Sequence, residues 1–373
     1  MIVDLLIICS VILAVSYLLN IVGSSLMSIS QINKTTKKSH KKLPFISAVI
    51  TTNNSGGNVG SCLTSLLATN YRGLEIIVID FKSTDMTKKV VQNIIRSNPK
   101  KQIRFIVKTK LQSNSQLLQF ACQQAKGDLI LTLSAQSTVD KKALTNAATR
   151  FMSDKKLDVL IASDRPVNNH QLAGIFNFYR MQLAKLSIQA QGIFGADHRI
   201  GSTVSTFYKT SLLKQVKSEN IRARVSFANN SVVYHNPVGV FGLLKDCLNT
   251  QVYAFRSLFT ASGQSSNLRS SIWSLSQSLS ASLVQLANLG MPIILGYFIY
   301  LAADLHEPDF LLVSWLALAI YLLFAIYQDD QLSPKFKLAM ILLAPTYFIW
   351  YYLTLILRYV SFTIAAVSIL FQP

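Results

Sequence analysis

Charge is distributed along this chain in a way that leaves few architectures open. No Lys or Arg precedes Lys34, and only Lys335, Lys337 and Arg358 follow Arg269, so the other 33 basic residues form one central block that also holds 11 of the 17 acids. That block carries about 22 surplus positive charges, and its flanks are almost purely apolar. From Ile2 to Ile29 the only charge is Asp4, a run long enough to cross a hydrocarbon core of about 30 Å. Charge-free runs return at Ser270–Ala303, Phe310–Gln328 and Leu338–Leu357.

These runs predict a membrane topology. A cleaved signal peptide needs a basic start, which is missing, whereas Lys34, Lys37, Lys38, Lys41 and Lys42 follow the first run. The positive-inside rule then puts the amino terminus outside and the central block in the cytoplasm, held by a retained anchor. The acidic link Asp304–Asp309 falls outside and the link Gln328–Lys337, with two lysines, inside. The expected plan is an anchor at 1–29, a soluble domain at 34–237, an interfacial helix region at 238–269 and a membrane domain at 270–373 with about three crossings. Multi-pass insertion in the cell's inner (cytoplasmic) membrane follows. The tail Tyr359–Pro373 either extends the last helix or lies on the membrane.

Composition agrees: 50% of residues are hydrophobic and 14% charged, against roughly 25% charged in soluble domains. A disordered, collagenous or coiled-coil chain is excluded, and a wholly soluble one is not expected. Cys9, Cys62, Cys122 and Cys247 lie far apart without a CxxC pair, so neither a disulfide scaffold nor a zinc site is expected. Membrane lipid is the expected partner of the positive charge, with Lys34–Lys42 against the anionic leaflet. No nucleic-acid motif is present, and lysine pairs such as Lys88 and Lys89 or Lys155 and Lys156 read as solvated helix ends and turns.

Within the block, short β-rich runs alternate with helical patterns: FISAVIT, NVGSCLTSLLATN, LEIIVID, TKKVVQNIIRS, QIRFIVK. That alternation predicts a parallel α/β sheet, with a ligand crevice beyond the carboxyl ends of the strands. Asp80 ends the second strand and the turn Thr51–Asn54 ends the first, so both are expected to line it. PFISAVITTNNSGGNVGSCLTSLL, then YRGLEIIVIDFKSTDMTKKVV, then AKGDLILTLSAQSTVDKKALTNAATRF resemble the nucleotide-binding half of the family 2 glycosyltransferases. GSTVSTFYKTSLL resembles that family's acceptor segment, and VVYHNPVGVFGLLKDCLNTQVYAFRSL the stretch leading to its QxxRW motif. The resemblance implies an α/β GT-A-like cytoplasmic domain joined to α-helical transmembrane segments, in the polymer-building or lipid-modifying branch.

The motifs depart from the family's pattern in chemistry. Its Pro-x-x-Asn-Glu turn appears with Thr51 for the proline and Ser55 for the acid, keeping Asn54. Its Asp-Asp-x-Ser-x-Asp run appears as Asp80, Phe81, Lys82, Ser83, Thr84 and Asp85. The resemblance assigns Asn54, Asp80 and Ser83 to the nucleotide; by residue type alone, Asp80 and Ser83 equally suit a cap on a helix beginning near Thr84. Gly56, Gly57 and Gly60 match no phosphate-loop spacing and read as a helix-start turn. Where the family has Asp-x-Asp, this chain has Ser134, Ala135 and Gln136, neutral groups with little affinity for a hard dication. Asp128 and Asp140 read as turn and cap residues. The acidic base region is represented by Ser218, Glu219 and Asn220, and QxxRW by Gln251, Val252, Tyr253, Ala254 and Phe255, so Glu219, Asn220 and Gln251 are degenerate catalytic candidates. His235 is a strand-end residue facing the crevice, either catalytic or bonded to backbone.

An active member would be expected to use Mg²⁺ or Mn²⁺; here no metal site and no cofactor is expected. The expectation is a catalytically impaired or inactive member that acts as a scaffold or partner in glycan or polysaccharide assembly, beside an active glycosyltransferase or an export subunit. The alternative is an active enzyme that moves a sugar from a nucleotide-sugar to a lipid or glycan through a divergent site.

Overall fold

The computed structural model describes residues 43–108, 114–167, 174–182, 198–199, 205–215, 220–221, 223–235 and 333–343. It adds helical positions at 244, 248, 252, 319–320, 322–324, 326–327, 353–354, 357, 360–361, 363–364 and 367. The chain forms two compact units, one of residues 23–168 and 187–237, the other of 1–22, 169–186 and 238–373. Residues 169–186, inside the soluble domain of the sequence reading, group with the second unit.

The first unit alternates strand and helix: β1 (Ile46–Thr52), α1 (Val59–Ala68), β2 (Leu74–Asp80), α2 (Thr87–Ser97), β3 (Gln102–Val107), α3 (Asn114–Gln124) and β4 (Leu129–Ser134). It continues through β5 (Ser137–Val139), α4 (Ala143–Ser153), β6 (Val159–Pro166), β7 (His198–Arg199), β8 (Thr206–Lys209), α5 (Thr210–Gln215), β9 (Asn220–Ile221) and β10 (Val225–His235). Eight strands form one sheet in the order β3-β2-β1-β4-β8-β6-β10-β5. Strands β3, β2, β1 and β4 are parallel neighbours, with Ile46 opposite both Leu74 and Leu129. The other half is mixed: β8 runs antiparallel to β4 and β6, β10 parallel to β6, and β5 antiparallel to β10.

Strand sequence dictates this layering. In β1, Ile46, Ala48 and Ile50 point to one face and join Val59, Cys62, Leu63 and Leu66 of α1, while Val49 points to the other and joins Leu118, Ala121 and Cys122 of α3. A strand covered on both faces has no polar side, which is why ISAVITT and LEIIVID are apolar through their middles, AVI and IIVI, with polar residues only toward the ends. Each fully buried Ile or Leu contributes about 1.5–3 kcal/mol, so this double cover holds the sheet together. Burial also pushes the Cys62 thiol up to about 12, an inert packing residue. At the amino ends of the strands a buried carboxylate ties the sheet laterally: Glu75 accepts from Ser47 Oγ at 2.5 Å, Lys126 N at 2.6 Å and Arg104 Nη2 at 3.1 Å.

The second unit has its own small core, in which Ile175, Phe178 and Tyr179 pack with Leu322, Ile326 and Met340. Tyr179 Oη donates to the Met340 carbonyl, and Phe178 meets Phe336 edge to face at 5.9 Å. Among the described residues no helix is long and apolar enough to cross a membrane. The anchor at 1–29 and the run 270–303 lie outside the described residues, as do most of 310–328 and much of 338–357.

Gly127 shows how tightly the α3–β4 turn closes on β1. Its N–H donates to Ser47 Oγ at 2.8 Å, and a Cβ there would stand 2.6 Å from both Ser47 N and Ser47 Oγ and 2.9 Å from the Leu129 carbonyl oxygen. Backbone cannot yield to it cheaply. Gly127→Ala is expected to destabilise the chain by about 1–3 kcal/mol, whereas Gly57→Ala, with nothing within 4 Å of the added carbon, should leave the thermal unfolding midpoint unchanged.

Candidate functional site

Strand order reverses between β1 and β4, since β2 and β3 add on one side of β1 and β4 on the other. Crevices that hold ligands in open α/β sheets form beyond the carboxyl ends at such a point. The turn after β1 and the turn after β2 meet there, as expected from the sequence, and the β4–β5 turn joins them, the Ala135 N–H donating to the Thr51 carbonyl at 3.1 Å.

The first two turns are laced together by two parallel relays. In one, the Asn54 N–H donates to Ser83 Oγ at 2.8 Å and the Ser83 hydroxyl donates to Asp80 Oδ1. In the other, the Ser55 N–H donates to Thr87 Oγ1 at 2.9 Å and that hydroxyl donates to Asp85 Oδ1. Thr52 Oγ1 also donates to Asp80 Oδ1 at 2.7 Å, and Ser83 N to Asp80 Oδ2 at 3.1 Å. Asn54 Oδ1 accepts from Thr84 N at 2.9 Å. The three residues assigned to the nucleotide from sequence are thus brought together, and they bond chiefly to one another. Asp80 is buried, with 2% of its surface exposed. Of roughly four acceptor positions on a carboxylate, its two oxygens already use three.

This geometry corrects two sequence readings. The helix after β2 begins at Thr87, three residues beyond the expected start near Thr84, and Asp85 rather than Asp80 or Ser83 accepts the N–H of its first residue, at 3.0 Å. Gly56 is there because the relay comes so close: a Cβ on it would lie 3.0 Å from Asp85 Oδ2 and 3.1 Å from Thr87 N, and its own N–H donates to Asp85 at 2.8 Å. Asn54, in the turn after β1, and Lys82, in the turn after β2, both stand in left-handed backbone, at φ 47° and 49°.

At the end of β4, Ser134 is half-buried and Gln136 exposed. Ser134 Oγ accepts the Gln136 N–H at 3.3 Å, and the intervening Ala135 is buried with its N–H on the Thr51 carbonyl at 3.1 Å. A hydroxyl and an amide do not form a site for a hard dication, which selects carboxylates. The nearest acids in sequence are engaged elsewhere: Asp128 accepts Phe45 N at 3.0 Å at the opposite end of the strands, and Asp140 accepts Lys142 N at 2.9 Å at the start of α4. The residues do not fit the metal that the family implies. Glu219 and Gln251 lie outside the described residues; Asn220 is in β9, paired with Arg199 of β7 in a separate two-stranded sheet.

His235, which ends β10, is bonded to backbone as a strand-end residue, its carbonyl accepting the Val167 N–H at 2.9 Å, and its imidazole is held by side chains as well. Its Nδ1 lies 3.1 Å from Ser137 Oγ, and its Nε2 3.0 Å from Asp164 Oδ1 and 3.3 Å from Ser205 Oγ. One imidazole thereby joins β5, β6 and β10 to Ser205, which precedes β8. Asp164 was missed from sequence; its position near the end of the apolar strand VLIASD was the available signal, the same one that singled out Asp80.

The Thr87 hydroxyl and the Gly56 N–H hold the Asp85 carboxyl below its ordinary range. A depressed folded value means that the second relay is complete above the unfolded-state pKa near 3.9 and is lost as pH falls through the lower, folded value. Hydrogen exchange should therefore show the Gly56 amide protected at neutral pH and exposed in strong acid, and Asp85→Asn should remove that dependence.

Residues 47–198 match the sequence profile of glycosyl transferase family 2. The poly-β-1,6-N-acetyl-D-glucosamine synthase of Staphylococcus epidermidis is 24% identical over 181 residues, 48% of this chain and 43% of that one. The enzyme of the same description from Staphylococcus aureus is 24% identical over 183 residues, 49% and 44%. The match spans less than half the length of these relatives. Among solved structures, the mannosyltransferase PcManGT of Pyrobaculum calidifontis, in complex with GDP-Man and Mn²⁺, superposes with a TM-score of 0.55 at 15% identity, over 88% of this chain and 99% of that one. At that identity the likeness concerns the fold. The chain therefore carries a family 2 glycosyltransferase domain, of GT-A-like α/β fold and related to the family's polysaccharide synthases.

Proposed function

We propose that this chain is a membrane-held family 2 member that has kept the fold without metal-dependent sugar transfer, and that it serves as a scaffold or partner for an active glycosyltransferase or exporter in glycan assembly. One observation carries the reading: the acids retained in the crevice, Asp80 and Asp85, are committed to bonds within the turns, and the positions that would hold the metal are Ser134 and Gln136. A missing metal removes several kcal/mol of leaving-group stabilisation, and an amide at Asn220 in place of a base costs a further 10²–10⁴ in rate, roughly. A nucleotide-sugar remains a candidate ligand, since PcManGT was solved with GDP-Man.

Membrane attachment, with the domain cytoplasmic and the amino terminus outside, is part of the proposal. It is supported by the charge-free runs and by where apolar surface is exposed: Ile320, Leu323, Tyr327, Leu338, Ile341, Leu342 and Leu353 all present it. Beside them, Lys337 Nζ donates to the Tyr327 carbonyl at 3.0 Å and stands 5.5 Å from its ring, a pairing of Lys and Tyr suited to the headgroup level.

The active alternative is favoured by the His235–Asp164 pair, because an imidazole oriented by a carboxylate is the arrangement of a general base. The two readings separate in one assay. The purified chain, offered a panel of nucleotide-sugars with and without Mn²⁺, is expected to transfer nothing above background, and Ser134→Asp with Gln136→Asp and Asn220→Asp should not restore transfer. Turnover by the wild-type chain that is lost in His235→Asn would establish the alternative.

Topology is open to a second test. Cys62 and Cys122 are buried, so background labelling of the domain should be low. In intact cells Lys100→Cys is expected to resist a membrane-impermeant maleimide and to react after permeabilisation; labelling from outside would invert the topology.

A further inference from the structure

At the amino ends of the strands, opposite the crevice, the first unit has a cavity of about 530 Å³. Pro44, just before β1, lines it, as do the α3–β4 turn and Lys209 at the end of β8, which stands opposite Leu129 of β4. The end of α4 and the start of α5 complete the wall. This size lies within the range of small-molecule sites, which are largely pre-formed and combine apolar walls with a few placed polar groups.

The cavity is held open by hydrogen bonds among its own walls. Tyr71 Oη donates to the Pro44 carbonyl at 2.6 Å, and Phe45 N to Asp128 Oδ2 at 3.0 Å. The Thr210 hydroxyl donates to the Gly127 carbonyl at 2.6 Å and the Thr210 N–H to the Asp128 carbonyl at 3.0 Å, so α5 is clamped onto the α3–β4 turn. Lys214 follows Thr210 by four residues and shares its helix face, which sets it over the turn that carries Lys126.

Three lysines and one acid, Asp128, line the cavity. Lys209 is engaged: its Nζ donates to the Lys155 carbonyl at 2.7 Å and stands 3.4 Å from Asp158 Oδ1. Lys126 and Lys214 are exposed, and neither forms an ion pair with any described residue. Two ammonium groups on one cavity repel each other, and an anion held between them turns that repulsion into attraction. Beside them Leu129, Phe151 and Met152 give the cavity apolar surface.

We propose that this cavity is a second ligand site, separate from the crevice, and that it takes a soluble organic phosphate. The phosphate group meets the Lys126 and Lys214 ammonium groups and the exposed Ser211 hydroxyl, three donors for its three terminal oxygens, and an aromatic or other apolar body lies against Leu129, Phe151 and Met152. The contact is to side chains and not to the start of α5, where the Thr210 N–H is already taken by Asp128. The site does not depend on whether the crevice holds a nucleotide or transfers sugar.

The test is calorimetry on the full-length chain in neutral detergent, with phenyl phosphate compared with phenol, inorganic phosphate and benzoate. Phenyl phosphate is expected to bind at least about tenfold more tightly than each of the other three, about 1.4 kcal/mol. Lys126→Gln and Lys214→Gln should each weaken it about fivefold or more. Lys88→Gln with Lys89→Gln, which removes two positive charges at the carboxyl end of the sheet, should change it less than about twofold. Ser211→Trp, at an exposed position on the cavity, should abolish binding and leave the thermal midpoint unchanged. Inorganic phosphate binding as tightly as phenyl phosphate would overturn the apolar subsite, and benzoate binding as tightly would overturn the choice of phosphate. Equal weakening by the Lys88 and Lys89 substitutions would reduce the effect to general attraction by a basic domain and overturn the site. No binding of phenyl phosphate, or binding untouched by Ser211→Trp, would overturn it as well.

Discussion

Two hydroxyls decide what the crevice of this protein can do. Ser83 and Thr87 each accept an N–H from the turn after β1 and each donate to a carboxylate of the turn after β2. The effect is mechanical and electrostatic at once. The turns are fixed against each other, and Asp80 and Asp85 are satisfied without a ligand. A buried carboxylate without donors costs several kcal/mol, so retention of Asp80 at 2% exposure has a structural explanation. The same contacts bring the Gly56 N–H to 2.8 Å from Asp85 Oδ2, leaving little room for a Cβ, and Asn54 and Lys82 stand in left-handed backbone in these turns.

The sheet is thus tied at both ends by carboxylates in unlike surroundings. At the amino ends Glu75 gathers Ser47, Lys126 and Arg104, joining β1, β2, β3 and the turn into β4. At the carboxyl ends Asp80 and Asp85 join turns, and Asp164 with His235 joins β6 to β10. Between them lies an apolar layer that needs no chemistry to be stable. The fold of this family 2 glycosyltransferase domain does not depend on what stands at 134 and 136, since neither position contributes to the core, Gln136 being exposed and Ser134 half-buried.

The parallel half of the sheet was legible in the sequence because strands covered on both faces are written as apolar runs with helices between them, and ISAVITT, LEIIVID and LILTLS need no long-range information to be found. Proximity of Asn54, Asp80 and Ser83 followed from their places at strand ends. What could not be read was who bonds to whom. Asp80 with Ser83 looks like a helix cap because a cap and an inter-turn relay use the same residue types; only the register of β1 against β2, with Thr52 opposite Asp80, shows that the partner comes from another strand. The His235–Asp164 pair was invisible for a similar reason, since it spans 71 positions of chain and depends on the parallel pairing of β6 with β10 across a bulge between Ala228 and Val232. The charge-free apolar runs at either end were the easiest feature of the sequence, and most of them lie outside the described residues.

With Ser134 and Gln136 at the end of β4, the crevice proposed here binds no divalent metal, and electron paramagnetic resonance of Mn²⁺ tests this without assuming a substrate. Mn²⁺ would be titrated into the full-length chain, alone and with uridine diphosphate, against a blank with nucleotide only. The account predicts no loss of free Mn²⁺ signal attributable to protein in either case. Stoichiometric, protein-dependent loss of that signal in the presence of nucleotide, weakened by Asp80→Asn, would contradict it and return the crevice to metal-dependent transfer.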